Sequence, residues 1–278
     1  MAWQMTDSVD EFHRTAGGFL QSRPVEHSIP LTLVKTLRQR GPHFYGADDP
    51  IFGWFRDDDD AVTGAFLQTP PMPLLLTAAP AVPELVDLLA DRPLPGVNAR
   101  AGDAEIFADA WRRLTGATAQ CSRRVRLFRL AELTSPPRPP GAPRIAGARD
   151  RDLLVSWMDA FHTEIGDRSD VDLGRRVDER LAYGGIALWE VDGSPVSMAG
   201  VSRLEAGMIR VATVYTPQHL RGHGYAGAVT SAVSQAAIDD GADYVVLFTD
   251  LANPTSNALY RRLGYQPIED RTVMEFSR

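Results

Sequence analysis

Val211-Ala212-Thr213-Val214-Tyr215-Thr216-Pro217 leads, through Gln218 to Leu220, into Arg221-Gly222-His223-Gly224-Tyr225-Ala226, and this stretch decides the fold. Its first part predicts a strand, because β-branched and aromatic residues dominate and Pro217 stops it. Its last part opens a helix: Ala226, Val229, Ala232, Val233, Ala236, Ala237 and Ile238 recur at helical spacing up to Gly241. Strand, glycine turn and helix together present bare backbone N–H groups and a positive dipole end to an anion. Gly222 and Gly224 allow close backbone approach. Arg221 adds a fixed charge with a fork that matches phosphate. The stretch reads as a diphosphate-binding loop, although a turn that merely joins strand to helix would use similar residues.

Two other phosphate loops are excluded. A Walker loop needs Lys-Ser/Thr after its last glycine, and Tyr225-Ala226 stands there instead. Gly222-x-Gly224-x-x-Gly227 matches the dinucleotide fingerprint literally. The acidic residue that should follow about 20 positions on would fall at Asp239, Asp240 or Asp243, in a helix-to-strand turn.

Downstream, Tyr244 to Asp250 predicts a buried strand, Leu251-Ala252-Asn253-Pro254 a turn, and Thr255 to Leu263 a helix stopped by Gly264. Arg221-x-x-Gly224-x-Ala226, followed by Asn253, Asn257, Tyr260, Gly264 and Tyr265, resembles the GCN5-related N-acetyltransferase (GNAT) superfamily. The loop is similar to that family's Arg/Gln-x-x-Gly-x-Gly/Ala signature. The second helix is similar to its Asn…Asn-Ala-x-x-Tyr-x-x-x-Gly-Tyr/Phe pattern, and the resemblance covers roughly residues 143 to 278.

The resemblance implies an α+β fold with a twisted, mostly antiparallel sheet flanked by helices. It also implies acetyl-CoA as cofactor and attack of a primary amine on its thioester. By the family pattern, Val214, Tyr215 and Thr216 would receive the pantetheine arm. Arg221, Gly222, His223, Gly224, Tyr225, Ala226 and Gly227 would cradle the diphosphate. Backbone N–H near Val214 would polarise the thioester carbonyl. Asn253 would hydrogen-bond the cofactor arm, with Asn257 one turn later. Tyr260 matches the tyrosine that protonates the departing thiolate, and a phenol suits that role because its ordinary pKa is near 10. A glutamate is common on the family's organising strand, but Ala212 and Thr213 stand there. The base is therefore open among Glu164, Glu190, Asp250, a water chain, or an amine arriving neutral.

The 278 residues suffice for two ordinary domains, and 44% hydrophobic with 23% charged residues describes a soluble globular chain. A net charge of −7 argues against a general nucleic-acid binder and mildly favours cationic acceptors. Lys35 is the only lysine. The lone Cys121 cannot form an internal disulfide, which fits a reducing cytoplasm. No signal peptide is read, and the longest apolar run, Pro71 to Val86, is broken by prolines, so no membrane span is expected. His219 and His223 flank a glycine turn without a carboxylate between them, so no metal site is expected.

Pro136, Pro137, Pro139, Pro140 and Pro143 predict a semi-rigid spacer. It separates residues 1–133 from 144–278, with 134–143 as the linker. The first half repeats the second in degraded form, as in tandem family members with one inactive copy. Ala65 to Pro70 aligns with Ala212 to Pro217, and Ala110 to Leu114 aligns with Leu259 to Leu263. On that alignment Met72-Pro73-Leu74-Leu75-Leu76 replaces the glycine loop, and Trp111 replaces Tyr260. Short strands are expected at Phe44 to Gly46, Ile51 to Phe55, Ala61 to Leu67 and Leu94 to Ala99, with a helix at Pro80 to Leu89. In the second half, helices are expected at Asp150 to His162 and Val171 to Ala182, walling the acceptor site by the resemblance. Glu164, at the end of the first, is a candidate contact for the substrate amine. Loops Thr163 to Asp170 and Gln266 to Thr272 are expected to choose the acceptor, with Glu269 and Asp270 suited to a cation.

The leading functional expectation is N-acetyl transfer to a small-molecule, amino-acid or peptide amine, by a monomer or homodimer. The alternative is a non-catalytic acyl-CoA-binding regulatory or sensor module, which the missing base permits and Tyr260 opposes.

Overall fold

The structure is a computed structural model that describes residues 1–78, 80–166 and 172–277. It contains two compact units. The first comprises Met1–Leu127, Asp250–Ala252 and the chain from Ile268 onward; the second comprises Phe128–Thr249 and Asn253–Pro267. The expected division at residues 133 and 144 therefore differs from the observed grouping at the C-terminus, where the last strand belongs with the first unit.

In the first unit, β1 (Ala2–Thr6) precedes helices α1 (Val9–Gln21) and α2 (Ser28–Arg40). Strands β2 (Ile51–Arg56), β3 (Val62–Gln68) and β4 (Leu74–Leu76) follow, then α3 (Val82–Leu89), β5 (Gly96–Arg100), α4 (Ala101–Thr115) and β6 (Thr118–Leu130). β1 to β4 pair antiparallel in sequence order, and β4 pairs parallel with β5. Phe66, Leu74, Leu76, Leu85, Val97 and Phe107 form the core between the sheet and its helices, all nearly inaccessible. Phe44 to Gly46 is not the expected strand; Pro42–Phe44 is a single 3-10 turn, as Pro42 favours.

The second unit repeats this order. β7 (Ala142–Ile145) leads to α5 (Arg151–Glu164) and α6 (Leu173–Leu181), then β8 (Ile186–Val191), β9 (Ser194–Val201) and β10 (Met208–Tyr215). After these come α7 (Tyr225–Asp239), β11 (Tyr244–Asp250), α8 (Pro254–Arg262) and the start of β12 (Tyr265–Ser277), whose residues from Ile268 onward belong to the first unit. β7 to β10 pair antiparallel in sequence order, and β10 pairs parallel with β11. One core packs α7 and Tyr260 on the sheet; another packs Trp157, Met158 and Val177 on Leu188, Met198 and Tyr215. Both units are thus mostly antiparallel sheets flanked by helices. No helix among the described residues is long and apolar enough to cross a membrane.

The pairing corrects the internal alignment of the two halves. The strand that feeds a helix and pairs parallel with the next strand is β10 in the second unit and β4 in the first. Ala65–Gln68 lies in β3, which corresponds to β9, not to the strand Val211–Tyr215. A Thr-Pro pair follows both β3 and β10, at Thr69-Pro70 and Thr216-Pro217, and composition alone does not separate them. Leu74–Leu76 is strand rather than turn, so the first unit's counterpart of the glycine loop is Thr77 to Ala81. Its described residues include neither glycine nor arginine, and the carbonyls of Pro80 and Ala81 accept from Trp3 Nε1 at 3.1 and 3.3 Å.

Two further expectations change. The proline-rich joint is tied to the second unit: Trp189 Nε1 donates to the Pro140 carbonyl at 2.8 Å, and Thr134 N–H to Leu263 O at 3.1 Å. It is a strap rather than a spacer. Gln266 to Thr272 is not an acceptor loop but part of β12, where Asp270 forms a bidentate pair with Arg126 at 2.6 and 2.8 Å. Glu269 accepts from buried Arg271 at 3.1 Å. These carboxylates are committed to arginines in the first unit. The expected loop Thr163 to Asp170 lies partly outside the described residues, as does Val171; α6 begins at Leu173, where Asp172 caps it by accepting from Arg175 N–H at 2.9 Å.

Candidate active site

The centre of the second unit is where β10 and β11 part. Their parallel register runs from Met208 opposite Tyr244 to Val211 opposite Leu247 and ends there. At the same level the antiparallel register with β9 shifts between Ala212 and Tyr215, and Thr213 takes a φ of 53°. This is a β-bulge with a β-branched residue in left-handed backbone, a strained position of the kind found at functional sites. Nothing in the run Val211 to Pro217 signals it.

Beyond the bulge, Tyr215 and Thr216 are held by neighbours that sequence reasoning missed. Ser197, fully buried on β9, donates to the Tyr215 carbonyl at 3.0 Å and contacts Thr216 Oγ1 at 2.8 Å. Tyr215 is buried against Trp157, with ring centroids 6.1 Å apart. Its phenol is pushed up by burial and by the Glu164 carboxylate beside it. Val214 packs against the core that contains Tyr260.

The turn then runs through the 3-10 segment Gln218–Leu220 to Arg221, Gly222 and Gly224. Gly222 and Gly224 have φ of 83° and 84°, and nothing lies within 4 Å of where a Cβ would stand on either. Among the described residues no side chain caps α7, and no acidic residue occupies its first turn. Its leading N–H groups are therefore bare, above an open, exposed turn. These features fit the diphosphate expected there. Tyr225 stacks on His223, with centroids 5.5 Å apart and planes at 12°. Gly227 faces inward: a Cβ would meet Leu259 Cδ1 at 3.2 Å, so its place is the close contact between α7 and α8.

Arg221 does not stand free in this state. Its Nε donates to the Thr216 carbonyl at 2.9 Å, and its Nη2 donates to both carboxylate oxygens of Glu164, at 2.8 and 2.6 Å. The two residues expected at opposite ends of the reaction, diphosphate and amine, are thus one ion pair. Both are a little under half exposed, so water screens the pair and an anion can compete for the guanidinium.

On α8, Asn253 is the N-cap, and its Oδ1 accepts from Ser256 N–H at 3.0 Å. Asn257 Nδ2 donates to the Asn253 carbonyl at 2.7 Å. In this structure both side chains hold the helix start. Tyr260 lies one turn further on, 8% exposed, with its ring edge-on to Tyr265 at 6.1 Å. Its hydroxyl takes no hydrogen bond among the described residues, and burial pushes its pKa up to about 12. Of the other candidate bases, Glu190 is bound to Arg144, which also grips Asp150, and Asp250 accepts from the Ala252 N–H at 2.7 Å.

Comparison with known proteins bears on the fold and on the segment that carries this site. Residues 150–265 match the model of the acetyltransferase (GNAT) family. A Drosophila protein solved by structural genomics superposes with a TM-score of 0.70 at 14% identity, covering 99% of this chain and 98% of that one. A GNAT-family acetyltransferase from Colwellia psychrerythraea gives 0.62 at 12% identity over the full length of both. A tandem GNAT protein from the clavulanic acid biosynthesis pathway gives 0.56 at 13% identity, covering 99% and 98%. No curated protein matches the sequence. Bulge, bare helix start and buried tyrosine lie within residues 150–265, the segment that matches the acetyltransferase (GNAT) family model, and the chain shares the fold of the tandem GNAT protein.

Proposed function

We propose that the second unit transfers an acetyl group from acetyl-CoA to a primary amine of a small-molecule, amino-acid or peptide acceptor. The observation that carries this reading is the uncapped, acid-free start of α7, reached through two open glycines, in the same unit as a buried phenol without a hydrogen-bond partner among the described residues. Bound acetyl-CoA supplies an acyl thioester whose thiol is the leaving group. In balance, a C–N bond forms as the C–S bond breaks. The ammonium loses two protons, one ending on the thiol and one in solvent.

The chain's own groups divide this work. The N–H groups of Gly222 to Gly227 and the Arg221 guanidinium hold the diphosphate. The β10 edge at Val214 to Thr216 aligns the arm, and its N–H polarises the carbonyl. Once an anion takes Arg221, Glu164 is released beside Tyr215, where it meets the amine. Tyr260 gives its proton to the sulfur.

The test is thermal shift with acetyl-CoA, NAD and ATP, followed by thiol release with an amine panel. A ligand at 100 times its Kd adds about 2.7 kcal/mol of stability. Stabilisation by acetyl-CoA with thiol release is expected. A response to NAD or ATP alone overturns the reading, and acetyl-CoA binding without turnover of any amine favours a sensor module.

A further inference from the structure

We infer that the acceptor is an amine that also bears an anionic group, a carboxylate or a phosphate, and that Arg180 of α6 recognises that group. The inference rests on the acetyl-transfer reading above and specifies its acceptor.

Arg180 reaches the bulge itself. Its Nη1 donates to Thr213 Oγ1 at 3.1 Å, one residue before Val214, whose N–H is assigned to the thioester carbonyl. The guanidinium lies against β9 at Gly200, opposite Ala212. A Cβ on Gly200 would come within 2.7 Å of Arg180 Nη1, so that glycine makes room for the cation. Arg180 is half-buried, and the only hydrogen bond of its side chain among the described residues goes to a neutral hydroxyl.

The carboxylates of the same helix are used elsewhere. Asp178 pairs with Arg151 at 2.6 Å, and Glu179 with Arg203 at 3.2 Å. A half-buried cation without a counter-ion among the described residues is unfavourable to maintain, and an anion brought to it makes a short, forked, charge-assisted contact.

The second end of the acceptor is placed by the same strand. Thr213 and Tyr215 both turn toward the α5 and α6 side, the first to Arg180 and the second to Trp157 and Glu164. Cation and carboxylate thus bracket Val214. An acceptor whose ammonium meets Glu164 and whose anion meets Arg180 is held with its nitrogen at the reacting carbonyl. The chain's net charge of −7 favours cationic ligands in general, and this local arrangement reverses that preference at the bulge.

The experiment compares matched acceptors on the full chain, read by thiol release: free amino acids against their amides, and phosphoethanolamine against ethanolamine. The expected result is a preference of roughly 10- to 100-fold in kcat/KM for the anionic member of each pair, carried mainly in KM. The two arms show whether carboxylate or phosphate is preferred. Arg180→Met should collapse this ratio toward one, and Arg180→Lys should restore part of it. Acetyl-CoA thermal shift on each variant reports folding and the cofactor site separately. Equal use of amides and free acids overturns the inference, as does a preference that survives Arg180→Met. Acetyl-CoA binding without turnover of any anionic amine overturns it too. A chain that fails to bind acetyl-CoA removes the acetyl-transfer reading, and this inference with it.

Discussion

Tyr260→Phe is the sharpest perturbation of the proposed chemistry, because the structure separates what the ring does from what the hydroxyl does. The ring packs edge-on to Tyr265 within the core of the second unit, and a phenylalanine keeps that contact. The hydroxyl has no hydrogen bond among the described residues to lose. The fold should therefore be nearly indifferent, with Tm changed by no more than about 2 °C. Activity should not be.

With the phenol near 12 and an ordinary thiol near 8.5, Tyr260 is the weaker acid by roughly 3.5 pKa units, close to 5 kcal/mol. Full transfer is thus uphill even to the departed thiolate. The phenol therefore acts by stabilising the developing sulfur charge through a hydrogen bond, and the sulfur keeps the proton only as Tyr260 regains one from the reacting ammonium. Such a bond to a charged group contributes about 1.5–3 kcal/mol, and acid catalysis spans about 10²- to 10⁴-fold. The expected loss in kcat is on the order of 10²-fold, with KM for acetyl-CoA within about threefold, measured by steady-state thiol release. A kcat within threefold of wild type removes Tyr260 from the mechanism. A large drop in Tm instead makes it a packing residue.

Four other outcomes are expected. Glu164→Gln frees Arg221 from its carboxylate, so the Kd for CoA should fall up to about fivefold at low salt while kcat drops; calorimetry showing weaker CoA binding refutes the competition. Arg144 holds the Asp150 carboxyl down at about 2, against an ordinary value of 3.8. A carboxylate depressed on folding stabilises the protein above its unfolded value and loses that contribution as pH falls through its folded one. Asp150→Asn should therefore cost about 2 kcal/mol at pH 6 and little near pH 2, in urea unfolding. Gly264, at φ 94°, would place a Cβ 1.8 Å from the Glu132 carbonyl, so Gly264→Ala should destabilise by more than about 3 kcal/mol. Gly224→Ala meets open space and should cost only the left-handed strain, about 1–2 kcal/mol, in the same thermal assay.

Sequence alone was sufficient for the elements whose causes are local. Glycine at positive φ, a proline that stops a strand, and an apolar repeat at helical spacing act within a few residues. That is why the strand, turn and helix from Val211 to Asp239 were legible, and α8 too, expected from Thr255 and found from Pro254. The glycine turn proposed to hold the diphosphate was placed for the same reason, and Tyr260 was placed on the helix that carries it. What depends on partners distant in the chain was decided only by the tertiary structure. β3 and β4 could not be told apart, because which strand pairs parallel is a property of its neighbour. The bulge at Thr213 arises from register against β9. The commitments of Glu164 to Arg221, of Asp270 to Arg126 and of Arg180 to Thr213 join residues 57, 144 and 33 positions apart. Charge at long sequence separation leaves no periodic mark, so the electrostatics of the site emerge only when the sheet and its helices bring those side chains together.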